Sequence, residues 1–259
     1  MQQLKYSYKT HISFSESIFS HHFLLRCTPR DSEAQRQIEH SCSVMPTSSM
    51  SYGTDSFDNK IITGYIGEFH NYFEFFSEGI VELYNYKIHE TLNPIFLYPS
   101  QLTKPMHRIK DICKELNFNN KQSTHEKIFT ISKVINDLLK YVPGVTSVYT
   151  SAEDALSIGQ GVCQDFAHLM ISICRECGIP ARYVTGFMVG EGFTHAWIEY
   201  CVNDYWYGFD PTNNRPAEPG YLKIAHGRDF TDCAIDKGVF KGLAMQNLEV
   251  HLKVDQIQQ

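Results

Sequence analysis

From Val162 the chain sets apolar side chains at Val162, Phe166, Leu169, Met170, Ile173 and Cys177. Positions three, four and seven apart share one face of a 3.6-residue helix. Gly178 and Pro180 end that pattern, and Gly159 and Gly161 stand just before it, where the chain can turn tightly. Two earlier stretches carry the same period. "MHRIKDICKELNF" lines up Ile109, Ile112, Cys113 and Leu116. "STHEKIFTISKVINDLLKYV" lines up Ile128, Ile131, Val134 or Ile135, and Leu138, and opens on the capping box Ser123 and Glu126. "SAEDALSIG" predicts a short helix with Ser151 as its cap and Asp154 three residues on.

Elsewhere the pattern is that of strands. "LKYSYKTHISFS", "HHFLLRCTPR" and "GEFHNYFEFFS" mix alternating and β-favouring residues between turn residues. "TPRDSEAQRQIEHSCSVMPTSS" is polar and suits an edge strand, and "SYGTDSFDNKIITGYI" contains turn signals. Residues 1–95 therefore read as a small antiparallel β domain. Its adjacent His21 and His22 point to opposite faces of a strand and are poorly placed to ligate one metal. Pro94, Pro99 and Pro105 mark a boundary over residues 93–105, and residues 96–259 read as a second domain. The fold class is α+β.

In "FTHAWIEYCVNDYWYGFDPTNN" two alternating runs flank Asn203 and Asp204, the signal for a hairpin. A two-residue loop pairs Val202 with Tyr205 and brings Trp197 opposite Asp210. If Ala196, Ile198, Tyr200 and Phe209 face the core, then His195, Trp197 and Asp210 share the other face. His195 lies diagonal to Asp210, roughly 7–8 Å away along the backbone, within reach of a hydrogen bond between the side chains.

Composition narrows the setting. The 259 residues are 42% hydrophobic and 20% charged, and their formal net charge of −6 leaves no basic excess for a nucleic-acid partner. No run of Lys and Arg suggests membrane attachment, and no apolar stretch is long enough for a membrane span. The first residues, "MQQLKYSYKTHISFS", do not look like a secretory signal, so a cytoplasmic location is expected. The eight cysteines then read as free thiols rather than a disulfide framework. The pair Cys174 and Cys177 falls late in its helix, away from the end that stabilises thiolate, and reads as structural. No second such pair completes a zinc site and no acidic loop suits calcium, so no metal or cofactor is expected.

Cys163 is different, because it falls in the first turn of its helix beside unpaired backbone N–H groups. The helix dipole there favours thiolate, and the same N–H groups can hold an oxyanion. The stretch alone leaves two readings open, a packed core cysteine and a nucleophile. A nucleophile needs a base and a group to orient it, and His195 with Asp210 supplies both. His168, five residues on and about 500° round the helix, points elsewhere.

"GVCQDFAHLMISICRECGIPARYVTGF", "THAWIEY", "WYGFDPTNN" and "IAHGRDFTD" together resemble the bacterial transglutaminase-like superfamily, in order and with their flanks, over about residues 145–232. The strand-rich first part is similar to the β domain that precedes that core. The resemblance implies a papain-like core in which a helix carrying Cys163 packs on a sheet carrying His195 and Asp210. It implies acyl transfer through a thioester, most readily hydrolysis of a peptide, isopeptide or related amide in a peptide or protein substrate. Crosslinking by transfer to an amine and a non-catalytic interaction module are the alternatives, and the presence of all three triad residues speaks against the module. Gln160 and Gln164 are candidate side-chain oxyanion donors, beside the backbone N–H of Cys163, and Trp197 is a candidate cleft wall. Arg182, Arg228 and Asp229 read as structural, and Asp165 as a carboxylate suited to a helix start.

Overall fold

The computed structural model describes residues 2–119 and 121–257. The chain begins with β1 (Gln2–Leu25), β2 (Gln35–Met45), β3 (Met50–Thr54), β4 (Lys60–Ile66), β5 (His70–Leu83) and β6 (Lys87–His89). α1 (His107–Leu116), α2 (Thr124–Leu138), β7 (Lys140–Tyr141), α3 (Ala152–Ile158), β8 (Gln160–Gly161) and α4 (Cys163–Glu176) follow. The last part is β9 (Ala181–Met188), β10 (Gly190–Gly192), β11 (His195–Val202), β12 (Tyr205–Asp210), β13 (Arg215–Pro216), β14 (Tyr221–Gly227), α5 (Phe230–Cys233), β15 (Asp236–Lys241) and β16 (Gln246–Ile257).

β1 is the spine of an eight-stranded sheet. Leu4, Tyr6, Tyr8, Thr10, Ile12 and Phe14 alternate into the interior, as period two requires. Its first half lies between β5 and β16, and its second half between β4 and β15. The change of partners falls between Ser13 and His22, where both registers shift and Ser20 adopts φ 50°. Residues 236–257 leave the helical part and close the long edge of β1 with antiparallel ladders, burying Leu252 and Val254. An exposed strand edge of that length is a template for aggregation, and this return of the chain covers it.

The second sheet runs β13-β12-β11-β9-β14, with β6 beside β12. The helices begin where the sequence places them. Ser123 with Glu126 and Ser151 with Asp154 form capping boxes. α4 packs Phe166, Leu169, Met170 and Ile173 into one core shared with Ile198 and Phe209 of the sheet and with Leu4 and Tyr6 of β1. The proline-rich stretch is no loose linker. Phe96, Leu102 and Thr103 are buried, and Arg175 of α4 donates to the carbonyls of Phe96, Ala181 and Arg228 and to the Thr103 hydroxyl. A guanidinium has enough donors to tie one helix to three chain segments.

β14 is an edge strand, and two side-chain amides complete it. Gln35 accepts from Lys223 N–H and donates to Lys223 C=O, at 2.9 and 2.8 Å. Asn59 does the same to His226, at 2.8 and 2.8 Å. Each amide imitates one residue of a neighbouring strand and joins the β1 sheet to the second sheet without an open edge. Among the described residues no helix is long and apolar enough to cross a membrane.

Candidate active site

Cys163 is the first residue of α4, half-buried against the core. Its approach needs both glycines. Gly159 ends α3 with φ 70°, a left-handed turn that side chains disfavour. A Cβ on Gly161 would come within 2.6 Å of the Asp165 carboxylate, which folds back over that position. Asp165 accepts from Val162 N–H and the Thr146 hydroxyl, both at 2.7 Å. It thereby caps α4, while burial pulls its carboxyl up from the ordinary range.

The hairpin forms in the expected register, with Val202 paired to Tyr205 and Ile198 to Phe209. Asn203 and Asp204 take φ 52° and 62°, the double left-handed turn that matches strand twist. The preserved parity brings the two side chains together. His195 Nε2 and Asp210 Oδ2 are 2.7 Å apart. Asp210 is fully buried and heavily bonded, accepting from Tyr221 OH at 2.8 Å, Asn213 Nδ2 at 2.6 Å, and the N–H groups of Thr212 and Asn213. Burial opposes its ionisation, but these bonds and His195 hold the carboxyl below its usual range.

Asp210 accepts and cannot donate when ionised, so Nε2 carries its proton and Nδ1 is left for the third member. Burial resists protonation of the imidazole, but its bond to Asp210 and the nearby Cys163 outweigh it, pushing its pKa up to about 9. The ring keeps 14% of its surface open to solvent. Tyr141, in β7 beside Gly161 and more than half exposed, flanks the thiol.

The remaining sequence-based candidates separate. Trp197 is fully buried, stacked beside His195 at 6.2 Å and 27°, with its N–H given to Tyr86 OH. Gln164 donates to the Val148 carbonyl, so its amide is already engaged. Gln160 is half-buried in the bridge between β7 and β8. His168 is enclosed, accepts from Phe230 N–H, and burial takes its pKa down to about 4. Arg228 pairs with Asp232, and Asp229 caps α5. Cys174 is buried, and all eight cysteines are free thiols.

Three participants were not read from the sequence. Tyr221 and Asn213 bond Asp210, and Tyr86 bonds Trp197. Asn213 stands in the quoted "DPTNN", where an amide three residues past a buried carboxylate is a turn signal. Lone tyrosines carry no such signal. The other surprise is the far end of the same sheet face, which is dry. Glu199 is fully buried and accepts from Arg182, Lys223 and Tyr86, and Arg182 also reaches Glu90.

Parts of the chain are similar to known proteins. Residues 110–211 match the Transglutaminase-like superfamily, and residues 4–82 match the Bacterial transglutaminase-like N-terminal region. A Mycobacterium leprae protein of uncharacterised function is 34% identical over 171 residues, spanning 62% of this chain and 60% of its own length. A Mycobacterium tuberculosis protein, also uncharacterised, is 26% identical over 90% of this chain and 86% of its own length. A crystal structure from Cytophaga hutchinsonii, described as a candidate cysteine protease, superposes with a TM-score of 0.81 at 24% identity, covering 100% of this chain and 92% of that one. At that identity the likeness speaks for the fold. With both regions matched in order, the chain carries a transglutaminase-like core domain preceded by a bacterial transglutaminase-like N-terminal region.

Proposed function

We propose that the protein is a thiol-dependent acyl-transfer enzyme that hydrolyses peptide, isopeptide or related amide bonds. The observation that carries this reading is the single imidazole that bonds Asp210 at Nε2 and has Cys163 beside it. In the reaction, the proton shared by Cys163 and His195 rests on the imidazole while the Cys163 sulfur attacks the substrate carbonyl. The Cys163 N–H, at the open end of α4, donates to the oxyanion. Collapse breaks the C–N bond as His195 returns the proton to the leaving amine. A thioester to Cys163 remains. Water, deprotonated by His195, attacks it and releases the acid and the free thiol. Asp210 stays ionised throughout, holding the imidazole tautomer and balancing its charge. The cysteine-protease description of the Cytophaga protein is consistent with this choice of acceptor.

Mass spectrometry of the intact protein after mixing with a p-nitrophenyl acyl ester tests the proposal. One acyl group is expected on Cys163, formed with a burst of p-nitrophenol and lost by hydrolysis. Cys163→Ala should show neither. An acyl group that leaves only when a primary amine is added would replace hydrolysis by transfer, and no acylation of Cys163 would contradict the proposal.

A further inference from the structure

Between residue 82, the last matched to the N-terminal region, and residue 110, the first matched to the core, the chain is built into the second sheet. β6 lies antiparallel to β12, with His89 opposite Tyr205 and Lys87 opposite Tyr207. The N–H groups of Glu90 and Leu92 both donate to Asp204 at the hairpin turn, each at 2.9 Å. This pins Tyr86 over Gly208, where a Cβ would come within 2.9 Å of its ring.

The Tyr86 hydroxyl uses both its bonding roles. It accepts from Trp197 Nε1 at 2.9 Å and donates to Glu199 Oε1 at 2.8 Å. Glu199 is in turn held by Arg182 and Lys223. The indole has a single N–H to give, so the Tyr86 oxygen sets where its edge points. Gly186, paired with His195, makes room for the indole, since a Cβ there would come within 2.3 Å of it. Tyr221 packs on Trp197 edge-on at 5.3 Å. The indole face then lies along the His195 ring.

We propose that Tyr86 is a positioning residue for His195, acting through Trp197. One hydrogen bond at Nε2 ties the imidazole to Asp210 but leaves the ring free to tilt about that bond. A fixed aromatic plane beside it removes the tilt and keeps Nδ1 aimed at Cys163. The catalytic geometry thus depends on a side chain from the segment that joins the two matched regions. The inference rests on the Cys163–His195 pair proposed above.

The test is the rate of chloroacetamide alkylation at Cys163, resolved from the other seven cysteines by peptide mass spectrometry. It is measured from about pH 5 to 10 in wild type, Tyr86→Phe, Trp197→Phe and the double variant, each with a circular-dichroism melt. Tyr86→Phe is expected to stay folded and to lose about tenfold in rate below pH 7, where reactivity depends on the aligned imidazole. Above pH 9.5 its rate should match wild type within about twofold, because bulk ionisation of the thiol then suffices. The double variant should be no slower than Trp197→Phe, as both changes cut one link. A folded Tyr86→Phe with an unchanged profile, or losses that multiply in the double variant, overturns the inference. If Tyr86→Phe does not fold, Trp197→Phe decides: an unchanged profile overturns the inference and a low-pH loss supports it. Wild type with no excess reactivity at Cys163 below pH 7 would defeat the pair itself, and this inference with it.

Discussion

His195 and Glu199 lie four residues apart on one face of β11, and each is tied to partners of opposite charge. Glu199 has no exposed surface and three donors around it. Burial alone would raise its carboxyl, but Arg182 and Lys223 hold it at about 2, so it stays ionised at any working pH. His195 keeps an opening to solvent, and its other neighbour is the Cys163 thiol rather than a fixed charge. Buried charge by itself therefore does not mark chemistry. An acid–base group that is oriented on one side and reachable on the other does.

Exchanging one oxygen for nitrogen at each site should separate the two ends. Asp210→Asn should slow acylation of Cys163 by roughly a thousandfold or more, because the amide favours the wrong imidazole tautomer. Its cost in stability should be only about 1–2 kcal/mol, since the remaining oxygen still accepts from the Thr212 and Asn213 N–H groups and the Tyr221 hydroxyl can turn to accept from the amide. Glu199→Gln should do the reverse. It strands Lys223 as a buried cation and leaves Arg182 with Glu90 alone, with an expected loss of about 3–5 kcal/mol in denaturant unfolding. Acylation by its folded fraction should stay within about threefold of wild type, since Gln keeps an oxygen for Tyr86. Equal effects on both readouts would erase the distinction between the two ends.

A smaller effect follows from pH. His195 has a folded pKa of about 9 against an ordinary value of 6.5. Its contribution to stability is fully present below pH 6.5 and is lost as pH rises through 9, a difference of about 3 kcal/mol at most. Acylation should fall with an alkaline limb near 9, as the imidazolium loses its proton, and His195→Gln should remove both dependences. The smallest effect concerns the turn that sets the register. Asn203→Ala keeps φ 52° but removes the short polar side chain that tolerates it, and should cost about 1 kcal/mol in thermal unfolding.

The meeting of His195 with Asp210 was legible because its determinants are local. A two-residue turn preserves parity, so Asn203 and Asp204 alone fix that His195 meets Asp210. Capping boxes at Ser123 and Ser151 are likewise written within four residues. The dry end was not legible. Alternation along β11 puts Glu199 on the face shared by His195 and Trp197, but residues 86–96 cover that face, and nothing local to Glu199 announces Arg182 or Lys223. The return of β16 to β1 was missed for a related reason. Leu248, Val250, Leu252 and Val254 alternate visibly, but the choice of a partner over two hundred residues away belongs to tertiary packing.

The central claim is that Cys163, His195 and Asp210 act as one unit. The most direct test is an NMR titration of the His195 ring, assigned by its loss in His195→Gln. The expected midpoint is near 9, falling towards 6.5 or below in Asp210→Asn. A wild-type midpoint at or below 6.5, unmoved by Asp210→Asn, would contradict the account.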